Sequence, residues 1–107
     1  MPSIYLAGKI TGDKDYKAKF EKAAAFLEGL GFEVRNPAEL PQGQAPAYYM
    51  KACLPLLLDA DCATFLPDWI ESPGARIERQ LARYCGIPVL EWDEACTAAA
   101  ETEAGHG

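Results

Sequence analysis

The sequence predicts a small doubly wound α/β domain, flavodoxin-like or Rossmann-like, with about four parallel strands in the order 2-1-3-4 and helices on both faces. Short apolar, β-rich runs alternate with helical stretches along the whole chain, and the runs end in turns rich in glycine or proline. A length of 107 residues fits one such domain and leaves no room for two.

Residues 3–7 are a buried first strand running into the turn Gly8-Lys9-Ile10-Thr11-Gly12. From about 15 to 30 the apolar positions Tyr16, Phe20, Ala23, Ala24, Leu27 and Leu30 recur at helical spacing, which turns Lys17, Lys19, Glu21, Lys22 and Glu28 mostly to water. Gly31 stops that helix. Residues 32–35 are a second strand, closed by Asn36-Pro37, and 37–46 form a loop rich in Pro, Gln and Gly. Residues 48–59 read as a helix in which Pro55 either makes a kink, at a cost of roughly 3 kcal/mol, or opens a shorter helix. A third strand over 62–66 leads through residues 67–74 into a helix over about 74–85. Gly86 and a fourth strand at 87–91 follow, and residues 93–107 read as a flexible C-terminal tail.

In a sheet of this order a ligand sits beyond the carboxyl ends of the strands, where strand order reverses. That point lies between the first and third strands, so the turns at 8–12 and 67–74 face one crevice.

Composition narrows the functions that crevice can serve. A net charge of -6 argues against nucleic acid or an anionic membrane as the main partner, because both require a basic footprint. The longest apolar run, residues 54–58, is too short to span a bilayer. Cys53, Cys62, Cys85 and Cys96 contain no C-x-x-C pair, so neither a zinc nor a redox site is expected. No signal peptide is visible, and a reduced, cytoplasmic setting is the default expectation. The lone histidine, His106, lies in the tail. Neither the Walker spacing nor G-x-G-x-x-G occurs, and no cofactor is expected. A receiver-like signalling domain would need an acidic cluster after the first strand, where this chain has Gly8-Lys9.

On the helix after the third strand, Ile77, Leu81, Ala82 and Cys85 form the expected buried stripe, and Arg76, Arg79, Gln80 and Arg83 the wet face. Glu78 falls at the border of the stripe, where an unpaired carboxylate is costly to bury. A ligand at the strand ends explains it, as does an ion pair with Arg79 or with a tail residue. Ser72-Pro73 is a cap and first-turn pair. Gly74 lets a ligand approach backbone amides that favour an anion, although a serine there also serves as a plain cap. Lys9 offers a cation to the same crevice or is simply solvated. Tyr5, inside the first strand, is either core packing or a phenol with a partner.

Taken together, Ile4-Tyr5-Leu6-Ala7-Gly8-Lys9-Ile10-Thr11-Gly12, Asn36-Pro37, Leu57-x-x-x-Asp61, Leu66-Pro67-Asp68-Trp69, Ser72-Pro73-Gly74-Ala75 and Ile77-Glu78 resemble the nucleoside 2-deoxyribosyltransferase-like superfamily. The likeness is to a small bacterial and phage branch, related to deoxynucleoside 5′-monophosphate N-glycosidases. It runs from about Ser3 to Glu91, and the block Trp-x-x-Ser-x-Gly-Ala-x-x-Glu is its most specific part.

The resemblance implies a domain over residues 1–92 that cleaves the N-glycosidic bond of a nucleoside or nucleoside 5′-monophosphate. Glu78 would be the nucleophile and Tyr5 would orient it or the sugar. Gly8, Lys9, Ser72 and Gly74 would bind substrate, with Ser72, where the transferases proper carry an aspartate, and Lys9 as phosphate contacts. One departure is visible: Cys53 stands eight residues before Asp61, where the superfamily usually places an aspartate. Asp68 is the candidate to compensate, and Asp61 reads as structural. The resemblance also implies a homodimer or higher homo-oligomer, with the loop 37–46 as lid or interface. No metal is implied. A nucleotide-binding module without turnover is the alternative.

Overall fold

Residues Ser3–Ala7 form β1, buried along its whole length. Its side chains alternate between two cores, as a strand's must. Ile4 and Leu6 pack with Tyr16, Phe20, Ala24 and Leu27 of α1 (Tyr16–Gly29), whereas Tyr5 and Ala7 face Cys53 and Leu57 of α2 (Pro46–Leu58) and Ala75 and Ala82 of α3 (Pro73–Tyr84). β2 (Glu33–Arg35) and β3 (Cys62–Phe65) flank β1, and β4 (Val89–Glu91) pairs with β3. All pairings are parallel, and the order β2-β1-β3-β4 is the one expected from the sequence. This computed structural model describes residues 1–92; the expected tail over 93–107, with Cys96 and His106, lies outside the described residues.

Local chemistry moves several boundaries. Pro46 opens α2 two residues before the expected start, since proline suits a helix's first turn. Pro55 sits inside that helix, near its carboxyl end. Lys51 and Pro55 are both exposed, so water can reach the Lys51 carbonyl that loses its helical partner. β4 begins at Val89 because the Ile87 N–H is engaged by the Ala82 carbonyl and Pro88 has none to offer. The two expected loops each contain a 3-10 turn, Pro37–Glu39 and Pro67–Glu71. Asp61 ties the starts of β1 and β3 together. Its Oδ2 accepts from Ser3 N at 2.7 Å and Ser3 Oγ at 3.1 Å, and its own N–H returns a bond to Ser3 Oγ at 2.9 Å.

α1 ends in a Schellman motif: Phe32 N–H reaches the Leu27 carbonyl, Gly31 N–H reaches that of Glu28, and Gly31 takes φ +96°. An L side chain in that left-handed conformation costs about 1 kcal/mol or more. Gly31→Ala is therefore expected to lower the melting temperature by roughly 4–8 °C without changing the fold. A thermal scan showing no loss would contradict this account of the helix stop.

Candidate functional site

The alternation of β1 and the period of α3 bring two side chains together that lie 73 positions apart. Ser72 caps α3, its Oγ accepting from Ala75 N–H at 3.2 Å, and Pro73 fills the first turn. From that start Ala75, Glu78 and Ala82 form the buried face of α3, against α2 and β1. This corrects the expected stripe. Ile77 is 47% exposed and Cys85 is exposed, while Glu78 is only 7% exposed. The helix is rotated relative to the apolar pattern, because small alanines let it sit close to the sheet.

Tyr5 Oη donates to Glu78 Oε2 at 2.5 Å. Among the described residues Glu78 has no ion pair, and Oε1 has no hydrogen-bond partner. Burial pushes the Glu78 carboxyl up to about 7, although the bond from Tyr5 works in the opposite direction. Burial also holds the Tyr5 phenol well above its ordinary range, with Glu78 and then Cys53 adding to the effect. The Cys53 thiol, buried beside the same phenol, is pushed up to about 11, again chiefly by burial. At neutral pH the cluster therefore holds one carboxyl poised between its two forms and two groups that keep their protons.

Arg79, the sequence-based candidate to pair with Glu78, is engaged elsewhere. It is ion-paired with Glu91, and its guanidinium lies 4.5 Å from the Trp69 ring centroid and 5.4 Å from that of Phe65. It is not on a wet face: its side chain is 11% exposed.

Glu78 opens onto a hollow of about 300 Å³, a size at the small end of the range for ligand sites. Tyr5, Gly8, Ser72 and Gly74 also line it, so five of the seven residues singled out from the sequence converge there. The other two do not. Lys9 and Asp68 line an adjoining, more open hollow of about 890 Å³. Lys9 Nζ lies 3.7 Å from Glu71 Oε1. Asp68 Oδ1 accepts from Lys9 N–H at 3.1 Å, and its Oδ2 is ion-paired with Lys19. Asp68 is thus turned away from the Glu78 hollow. Ile10, Thr11 and Tyr49 line both spaces and mark the passage between them.

The two glycines of the hollow differ in kind. A Cβ on Gly8 would stand 3.0 Å from Leu66 Cδ1 and 3.2 Å from Asp68 Oδ1, a tight fit that would require those side chains to give by a few tenths of an ångström. A Cβ on Gly74 would meet Met50 Cε at 3.7 Å, an ordinary contact, and would only narrow the space. Sequence reasoning singled out Cys53 but missed the rest of the wall that α2 supplies, where Tyr49 and Met50 line the hollow beside it. The available signal was the nearly uncharged character of that helix, whose one ionised side chain is Lys51.

A folded-state value above the ordinary 4.5 means that folding favours protonated Glu78. The stability this contributes is complete below about 4.5 and is lost as pH rises through about 7, to an extent of about 3 kcal/mol. Glu78→Gln, which still accepts from Tyr5, is expected to raise the melting temperature relative to wild type at pH 8 and to change it little at pH 4. Equal shifts at both pH values would show that the carboxyl is not held near neutral.

Among the described residues no helix is long and apolar enough to cross a membrane. No curated protein matches the chain. Among solved structures, the chain resembles a 2-deoxyribosyltransferase from the psychrotolerant bacterium Bacillus psychrosaccharolyticus, with a TM-score of 0.65 and 26% identity over 83% of this chain and 70% of that one. The fold is therefore that of a nucleoside deoxyribosyltransferase-like protein. The model of the family described as a domain of unknown function, DUF4406, matches residues 2–91, and the chain belongs to that family.

Proposed function

We propose that this protein breaks the N-glycosidic bond of a nucleoside, with Glu78 as the nucleophile. The observation that carries the reading is a buried carboxyl, held by one phenol at Oε2, with Oε1 left free beside a hollow at the carboxyl end of the sheet. The likeness to a 2-deoxyribosyltransferase supports the substrate class.

Glu78 Oε1 attacks the anomeric carbon as the carbon–nitrogen bond breaks. The electron pair leaves with the base, which takes up a proton. The bonding change passes through an oxocarbenium-like state that the carboxylate stabilises, and it leaves a covalent glycosyl ester on Glu78. Water or a second base then attacks the same carbon, frees the carboxylate and gives up a proton. Tyr5 keeps the carboxyl in one orientation throughout.

The lining favours an uncharged nucleoside over its 5′-monophosphate. No Lys or Arg faces the Glu78 hollow, Lys9 lies beside Glu71, and Ser72 Oγ already caps α3. A phosphate there would rely on the α3 amides and on Lys9 leaving Glu71. A second reading, binding without turnover, is favoured by Cys53. Its thiol stays protonated in the wall, and among the described residues Glu78 is the one carboxyl that lines the hollow.

Incubation with ribo- and deoxyribonucleosides and their 5′-monophosphates, followed by chromatography of the free base, tests the reading. Wild type is expected to release base from nucleosides, Glu78→Ala to fall to background, and kcat/KM to rise with pH through about 7 as Glu78 ionises. Binding by calorimetry without release selects the second reading. Neither binding nor release would sink both.

A further inference from the structure

The Glu78 hollow lies at the carboxyl end of β1, on the face of the sheet covered by α2 and α3. Its floor and back are β1 and α3, while part of its mouth is the turn after β1, through Gly8, Ile10 and Thr11. That turn has a partly buried anchor that comes from the opposite face. Lys19 projects from α1 over the carboxyl end of the sheet. Its ammonium donates to the Lys9 carbonyl at 2.9 Å and to Asp13 Oδ2 at 2.6 Å, and it is ion-paired with Asp68 Oδ2. Three acceptors match its three N–H groups. Asp68 closes the circuit, since its other oxygen accepts from Lys9 N–H. The ammonium therefore grips both ends of the turn, and through Asp68 it holds the 3-10 turn Pro67–Glu71 that leads to Ser72 and α3.

We infer that Lys19 is a positioning residue for the Glu78 site: through Asp13, Asp68 and both backbone groups of Lys9 it sets where the turn at residues 8–13 stands over the hollow. Lys19, Asp13 and Asp68 side chains are about a quarter exposed, so the network is partly shielded from water and salt. Removing the ammonium leaves two carboxylates and a carbonyl without their shared donor. The turn is then free to move away from Leu66 and Asp68, against which Gly8 packs with little room even for a Cβ. Lys19 reaches no atom of the Glu78 hollow, so its effect is on substrate fit and not on the chemistry of the carboxyl.

The kinetic consequence rests on the function proposed above, and amide exchange tests the coupling independently of it. In Lys19→Met, exchange of the amides at residues 9–13 is expected to rise about tenfold or more, while those at residues 77–81 of α3 stay as in wild type. KM for a turned-over nucleoside is expected to rise about tenfold, with kcat within about twofold and the pH midpoint unmoved. Lys19→Arg should restore much of the loss, and Lys22→Met, an exposed charge on the same helix, should change neither reading. If Lys19→Met does not fold, Asp68→Asn keeps an acceptor for Lys9 N–H, removes the ion pair and is expected to show the same pattern. Unchanged protection at residues 9–13 overturns the inference whether or not wild type releases base. A lower melting temperature with unchanged KM reduces Lys19 to a purely structural residue and overturns it as well.

Discussion

One buried hydrogen bond organises this molecule, that from the Tyr5 phenol to the Glu78 carboxyl. It joins the central strand of the sheet to a helix on one face, and it gives a polar partner to the only charged side chain that is buried among the described residues. A carboxyl so placed without a donor would cost several kcal/mol. Burial nevertheless outweighs the phenol's help, and this is why the carboxyl sits near neutrality. The protein carries a group that its own folding would prefer protonated, and such groups concentrate where a fold has been shaped by chemistry more than by stability.

The architecture was legible because it follows from patterns repeated along the chain. The short apolar run at residues 3–7 marked a buried strand and the three-and-four spacing from Tyr16 to Leu27 a helix, and packing satisfied both. The strand order came from crossover handedness and not from any residue. Boundaries shifted where hydrogen-bond bookkeeping decided them, as at Ile87 and Pro88, whose amides are engaged or missing.

The site was legible in part. Glu78 stood out as a carboxylate against an apolar stripe, yet the stripe itself was misassigned. Helical periodicity weighs Ile77 and Cys85 by hydropathy, whereas close approach of α3 to the sheet selects Ala75 and Ala82 by size. Arg79 looked solvated because periodicity cannot foresee an aromatic ring beneath a guanidinium. Lys19 was placed on the wet face of α1 for the same reason. A side chain long enough to reach over the end of a sheet escapes the face its Cα occupies. Such long reaches connect elements distant in sequence, and a single chain gives them no local signature.

The position of Tyr5 in the middle of the sheet has a consequence for how such a site can diversify. β1 is paired on both sides, and its residues alternate between two different cores. Gaining or losing one residue ahead of Tyr5 would swap the phenol for an aliphatic neighbour and mix the two cores at once. Specificity can therefore drift by replacement in the wall from α2 or by length changes in the surrounding loops. The phenol and its strand are confined to point substitution.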